Sequence, residues 1–329
     1  MYAAARVENE LMGFERRLQD ALDSFPLNRE PRILQEAARH LCLLGSAKRV
    51  RPRVVFAVAQ ALGLAEEHAM EIAVAAELVH AASLVHDDVV DQGAMRRGRP
   101  TVNARWNNMV AVLSGDAMLC MALIQLRSFG RDLTEAAIEV VADMTRASMW
   151  EVEARGQLGL SEEQWRAMAE GKTGALFGWC GWAVACAAGH SEHAAQFDAC
   201  GRHLGVAFQL ADDLRDIFDT RSGKDRFADI ANQNPSYVVL RAAREDAALA
   251  GAIARLWDSE QCPLDEVASI GHRVAASDAA RAASVALDRE CQAAIAALGT
   301  YARKPGGTEI VEFALALVAG VRAMIEDKP

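Results

Sequence analysis

AMEIAVAAELVHAASLVHDDVVD, residues 69–91, carries Ala, Leu, Met and Val at three- and four-residue spacing and then ends in three aspartates. These are good helix formers, and their recurrence along one stripe predicts an amphipathic or buried helix rather than a strand. The same pattern extends outward in VVFAVAQALG, AIEVVADMTRASMWEVEA, AAQFDACGRHLGVAFQLADDL and ASVALDRECQAAIAAL. No stretch keeps a two-residue alternation between turn signals, so strands are not expected to matter. Pro and Gly punctuation is sparse, and neither a tandem repeat nor a low-complexity linker breaks the chain. The expectation is an all-α fold, residues 1–329 forming a single domain of roughly ten or more helices packed as one large bundle.

With 329 residues, 52% of them hydrophobic, the chain has ample material for a core. A formal net charge of −10 argues against a nucleic-acid partner. The seven cysteines form no CxxC pair, which predicts reduced thiols and a cytoplasmic location. Charge from Arg6 onward argues against a signal peptide. Residues 173–190 hold no charged side chain, but four glycines and a histidine favour an interior helix of the bundle over a membrane span.

The acidic end of the opening stretch has an echo. Asp87, Asp88 and Asp91 stand at i, i+1 and i+4, and Asp212, Asp213 and Asp216 in FQLADDLRD repeat that spacing. On a helix the first and last of each trio share a face, where like charges repel. Most charge runs are solvated helix ends, yet here each interrupts an apolar helix, and the two match. Two such sets facing each other would repel unless divalent cations lay between them. Oxygen-only donors suit Mg²⁺, which keeps waters and shares phosphate oxygens with a substrate. Lys48, Arg49, Arg51, Arg96, Arg97, Arg99, Lys172 and Lys224 all fall at expected helix boundaries. Singly, each would be read as helix-end decoration. Together, in an acidic chain, they point to an anion site with charge enough for two diphosphates.

The chain resembles the trans-type isoprenyl diphosphate synthases, the polyprenyl synthetase family, from about Lys48 to Ser236. DDVVD and the following RRGRPT are similar to the first aspartate-rich motif, FQLADDLRD to the second, AKRVRP to GKRxRP, and GKTGAL to a KT motif. Five motifs in order are far more specific than one acidic pentapeptide. The resemblance implies an isoprenoid-synthase bundle around a central tunnel and a condensation of isopentenyl diphosphate with an allylic diphosphate. It implies three Mg²⁺ ions, two held by Asp87 and Asp91 and a third by Asp212, with Asp88, Asp213 and Asp216 acting directly or through water. Arg96, Lys172 and Lys224 would clamp the allylic diphosphate, and Lys48, Arg51, His80 and Arg97 would hold isopentenyl diphosphate. Thr173 and Gln209 would offer oxygens to a developing carbocation. The partners implied are the two substrates and a second copy of the chain in a homodimer, with transient membrane contact for a long product.

Two departures stand out. SAKR replaces the family's frequent GGKR, and Asn234 in DIANQNPS stands where many members carry lysine. Product length is expected from the helix leading to Asp87. Ala82 and Ser83 are small where short-chain members tend to place an aromatic ring, and Val79 and Leu78 follow one turn deeper. A helix turn rises about 5.4 Å, roughly one isoprene unit, so a product longer than farnesyl diphosphate is expected, with Met118 or Met121 near its floor. A terpene cyclase on the same fold would not need Lys48, Arg51, His80 and Arg97 together, and a regulatory subunit would be free to lose carboxylates. His193, Cys200 and His203 lack zinc-site spacing. The Trp-rich GWCGWAV reads as close small-residue packing, and Tyr237 and Trp257 have no role assignable from sequence.

Overall fold

The structure, a computed structural model, describes residues 2–24, 26–43, 47–219, 226–259 and 262–326, with side chains from residue 9 onward. Helix dominates, as the periodicity predicts. In chain order the helices are α1 (Tyr2–Leu22), α2 (Ile33–Cys42), α3 (Val50–Leu62), α4 (Glu66–Val90), α5 (Val102–Arg105), α6 (Asn108–Leu126), α7 (Arg131–Ala154) and α8 (Glu162–Ala169). A π-turn, Glu170–Gly174, leads into α9 (Ala175–Ala187), followed by α10 (Ala194–Phe218), α11 (Ala228–Ala231), α12 (Tyr237–Glu245), α13 (Ala247–Trp257), α14 (Leu264–Ala276), α15 (Ala279–Leu298) and α16 (Gly307–Glu326). They fall into two compact units, one of Met1–Val141, Trp179–Asp198 and Arg303–Gly307, the other of Ala142–Gly178, Ala199–Ala302 and Thr308–Pro329.

In the first unit α4 is the central element, packed on α6 and α3. Its Ile72, Ala75, Ala76, Leu78, Ala82 and Val85 are fully enclosed. α4 and α6 are each long and apolar enough to cross a membrane by length and composition, but most of α4's apolar stretch is buried inside the protein. α4 and α6 approach closely because residue 115 is glycine: a Cβ there would lie 2.2 Å from His86 Nε2. Arg49 ties the unit together. Its guanidinium donates to Glu15 of α1 at 2.6 and 2.9 Å, to Glu77 of α4 at 2.6 Å and to the Cys42 carbonyl of α2 at 2.6 Å. Removing such a buried cation would strand the buried Glu77 carboxylate at a cost of about 3–5 kcal/mol, while Glu15 would remain solvated. Arg49 is therefore a packing residue and not part of the anion-binding set in which its position in AKRVRP places it.

RRGRP is not a plain loop, as the helical reading assumes. Met95–Arg96 and Arg99–Pro100 pair as a two-stranded antiparallel hairpin, β1 and β2. Arg97 and Gly98, at φ 52° and 75°, form a two-residue turn of the mirror-image kind whose twist suits a hairpin.

The charge-free stretch from 173 is interior, as expected: Leu176, Phe177, Cys180, Ala183 and Val184 of α9 are fully enclosed. In the second unit α9 meets α10 backbone to backbone. A Cβ on Gly205 would sit 2.4 Å from the Gly174 Cα, and one on Gly201 would sit 2.2 Å from the Phe177 carbonyl oxygen. This is the small-residue packing that the glycines around GWCGWAV predict.

Candidate active site

The first aspartate trio sits where α4 stops. Asp91 is the C-cap, its N–H donating to the Asp87 carbonyl at 2.8 Å. Asp88 points inward, only 4% exposed, and is forked by Arg96: Nε lies 3.0 Å from each carboxylate oxygen and Nη2 2.8 Å from Oδ1. Asp87 is half-exposed and Asp91 exposed, so the two that share a helix face are the two that meet solvent. The hairpin is laid back along this helix end. The Gly93 carbonyl accepts from Thr101 Oγ1 at 2.7 Å and Asn103 Nδ2 at 3.1 Å, and the Pro100 carbonyl is 2.7 Å from His40 Nε2.

Close by in the same unit, the structure gathers three of the four residues expected to hold isopentenyl diphosphate. Burial pushes the His80 imidazole well below its ordinary pKa, and the nearby charges of Arg51, Arg97, Arg96 and Arg49 push it further. The ring is neutral at physiological pH and lies within an arginine cluster. Burial likewise lowers the half-buried Arg97 guanidinium, which is countered by Glu77. Arg51 is buried and Lys48 exposed. Further along α4, Val79 and Ala82 are buried, and half-exposed Ser83 donates its hydroxyl to the His80 carbonyl at 2.8 Å.

The second trio repeats the division of labour. Asp212 is half-exposed beside Arg215, Nη1 to Oδ1 being 2.6 Å. Asp213 is 3% exposed and takes Gln209 Nε2 on Oδ1 at 3.0 Å and the Tyr237 N–H on Oδ2 at 2.8 Å. Burial pushes its carboxyl up to about 7. Thr173 Oγ1, from the π-turn, donates to Gln209 Oε1 at 3.2 Å, so Thr173, Gln209, Asp213 and Tyr237 form one chain of hydrogen bonds. Asp216 accepts the N–H groups of Ala228 and Asp229 at 2.9 and 3.2 Å, and this fixes the segment that returns toward α12. Lys172 is ion-paired with Glu151 of α7.

Sequence reasoning passes over several residues here. Glu151 and Asp229 line the same recess as Lys172, Gln209, Asp213 and Asn234. Asp229 opens the DIANQNPS segment, and its place beside a second acidic motif is the signal that could have marked it. Tyr237, without a role from sequence, supplies the Asp213 hydrogen bond and donates its hydroxyl to Glu162 at 3.1 Å. Trp257 donates Nε1 to the Ile230 carbonyl at 2.8 Å, holding α11. His203 is 2.6 Å from Glu290, Cys200 is buried and His193 sits at the surface near Glu192, so no zinc set forms from them. Lys224 and Ser46 lie outside the described residues. Among the described residues, no three His, Cys, Asp or Glu side chains converge on a point that would hold a metal by themselves.

The polyprenyl synthetase pattern matches residues 31–269. The chain is 34% identical over 262 residues to the (2E,6E)-farnesyl diphosphate synthase of Mycobacterium tuberculosis, covering 73% of this chain and 72% of that one. It is 33% identical over 277 residues to the geranylgeranyl diphosphate synthase of the same organism, covering 79% and 77%. The fold superposes on a polyprenyl synthase from Caulobacter crescentus, solved with calcium and isoprenyl diphosphate, with a TM-score of 0.89, 25% identity and 96% of each chain covered. Matched motifs, matched length and matched fold agree: the chain belongs to the polyprenyl synthetase family of trans-type isoprenyl diphosphate synthases.

Proposed function

We propose that the protein condenses isopentenyl diphosphate with an allylic diphosphate to give a trans polyprenyl diphosphate of twenty carbons or more. The observation that carries this reading is the shared build of the two acidic motifs. Each buries one aspartate in hydrogen bonds, Asp88 to Arg96 and Asp213 to Gln209 and Tyr237, and leaves its outer carboxylates toward solvent. Asp87, Asp91 and Asp212 are then the oxygen donors for Mg²⁺, three ions in all, a donor set that fits a hard, water-keeping cation. Bound there, the ions would screen the allylic diphosphate and favour its departure as pyrophosphate.

The chain's own residues do the rest. Arg96 and Lys172, held ready by Asp88 and Glu151, would turn to the allylic diphosphate, together with Lys224. Arg51, Arg97, Lys48 and neutral His80 would hold isopentenyl diphosphate. Thr173 Oγ1 and Gln209 Oε1, 3.2 Å apart, would direct oxygen lone pairs at the carbocation. Ala82, Ser83 and Val79 would let the growing tail pass beside α4. The test is incubation with isopentenyl diphosphate, Mg²⁺ and each allylic primer in turn, with products identified by mass. Products of fifteen carbons only would overturn the length assignment, and no product with any primer would overturn the reaction.

Further proposals concern the setting. Met109, Val112 and Leu113 form an exposed apolar stripe on α6, and this face suits a second copy of the chain in a homodimer. The seven cysteines are free thiols, which suits the cytoplasm. A long product would draw the enzyme to a membrane for release.

A further inference from the structure

Away from the acidic motifs, the second unit holds an ionic cluster on which the proposed chemistry makes no demand. Arg166, in the last turn of α8, forks Glu290 of α15: Nε lies 2.6 Å from Oε1 and Nη2 3.1 Å from Oε2. His203 of α10 meets the same carboxylate, Nδ1 lying 2.6 Å from Oε2. Arg166 Nη1 also donates to Glu170 Oε2 at 2.6 Å, and Arg202 of α10 stands 3.6 Å from Glu170 Oε1. Glu290 is only 8% exposed. Burial alone would raise its carboxyl, but the hydrogen bonds from His203 and Arg166 prevail and hold it below its ordinary pKa. The polyprenyl synthetase pattern ends at residue 269, so α15 and Glu290 lie beyond what it specifies.

What the cluster grips is the junction that leads to Lys172. Glu170 is the first residue of the π-turn, and its carbonyl accepts the Ala175 N–H, five residues on. Such a turn holds one residue more than an α-helix would and is rare outside functional sites. One extra residue shifts the face of a helix by about 100°, given 3.6 residues per turn. Downstream, α9 is not free to rotate and absorb that shift, because Gly174 lies against Gly205 of α10, main chain to main chain. Gly171 is closed in too: a Cβ there would lie 2.7 Å from the Ala147 Cβ of α7. Upstream, α8 is only eight residues long; its Trp165, Met168 and Ala169 are buried, and the Arg166 fork fixes another side of it to α15. With both ends pinned, the extra residue stays within Glu170–Gly174, the segment that carries Lys172 and Thr173.

We propose that Arg166, Glu290 and His203 form a register clamp: they are positioning residues that trap the extra residue of the π-turn and so set how Lys172 and Thr173 are presented to the allylic substrate. Arg166 acts on the turn directly through Glu170, and Glu290 anchors Arg166 to α15. His203 joins the same anchor to α10, the helix that carries Gln209, so both partners of the Thr173–Gln209 hydrogen bond are referred to one buried carboxylate. The kinetic consequences, though not the clamp itself, rest on the function proposed above.

The test takes Arg166→Gln, Arg166→Lys and Glu290→Gln in the full chain and reads two quantities: amide hydrogen exchange in peptides spanning the π-turn, and steady-state kinetics with each substrate varied in turn. In Arg166→Gln the turn should exchange faster, kcat should fall by about ten- to a hundredfold, and the allylic KM should rise, while the KM for isopentenyl diphosphate stays unchanged. Arg166→Lys should recover only part of the loss, because an ammonium cannot fork a carboxylate. Combining Arg166→Gln with Glu290→Gln should cost little more than either alone, as expected of residues that act as one unit. Glu290→Gln keeps the size of the side chain and one acceptor, so it carries the test if Arg166→Gln does not fold. Unchanged exchange in a variant of an enzyme that turns over normally overturns the clamp and leaves the functional reading standing. Faster exchange with kcat and the allylic KM unaltered reduces the cluster to packing and overturns its positioning role. Faster exchange in a protein that makes no product with any primer upholds the clamp and overturns the functional reading instead.

Discussion

Within each acidic motif, neighbouring aspartates have opposite fates. Asp88 and Asp213 are locked inside, while Asp87, Asp91 and Asp212 face water. The sequence marks all of them as carboxylates at metal-like spacing; which one turns inward is decided by partners that the spacing does not name, Arg96 eight residues beyond Asp88, and Gln209 and the more distant Tyr237 N–H for Asp213. The exposed set should carry the metal dependence. Asp87→Ala or Asp212→Ala should lower kcat by several orders of magnitude without loss of fold, checked by steady-state turnover beside circular dichroism. The interior set should show itself through pH. Asp213 keeps its proton up to about 7 in the fold but would lose it near 3.8 when unfolded, so the folded state binds more protons between those values. In metal-free protein the contribution is fully present below about pH 4 and is lost as pH rises through about 7. Urea midpoints should fall across that window, and Asp213→Asn should flatten the decline.

At the scale of elements, the helices are legible because their apolar residues keep a regular period, and the hairpin is not, because four paired residues carry no period at all. Its only trace is the Arg-Gly turn inside RRGRP, a signal that the charge of the segment hides. Spacing between helices is equally silent in a single sequence. Gly115 is one glycine among 23. In the structure it is the place where α4 lays His86 against α6, with His86 Nε2 3.2 Å from the Val112 carbonyl. Gly115→Ala should displace that ring or part the helices, costing about 1–3 kcal/mol as overpacking does. His86→Ala in the same chain should recover most of the loss, measured by chemical denaturation, since the clash is with a side chain that can be removed.

For the whole molecule, family and chemistry are written in five motifs, whereas product length and assembly depend on surfaces that the motifs do not touch. The small residues before Asp87 are consistent with a long tail and equally with close helix packing; Ala82 and Val79 are buried either way. Ser83→Phe separates the two meanings. It should shorten the product toward farnesyl diphosphate with little change in the rate of the first condensation, and an unchanged product would sink the tunnel assignment. Assembly is tested on the α6 stripe. Leu113→Glu places a charge in the middle of the apolar face and should yield monomers by sedimentation, whereas an unaltered mass would mean the face is not the contact.

The backbone contact between α9 and α10 has a genetic consequence. Every single-base change in a glycine codon that alters the amino acid adds at least a Cβ, and at residues 201 and 205 that atom would land on main chain, 2.2 and 2.4 Å away, where no side chain can swing aside. Both codons should therefore be almost closed to missense variation. A saturation library selected for activity should return glycine at these two places.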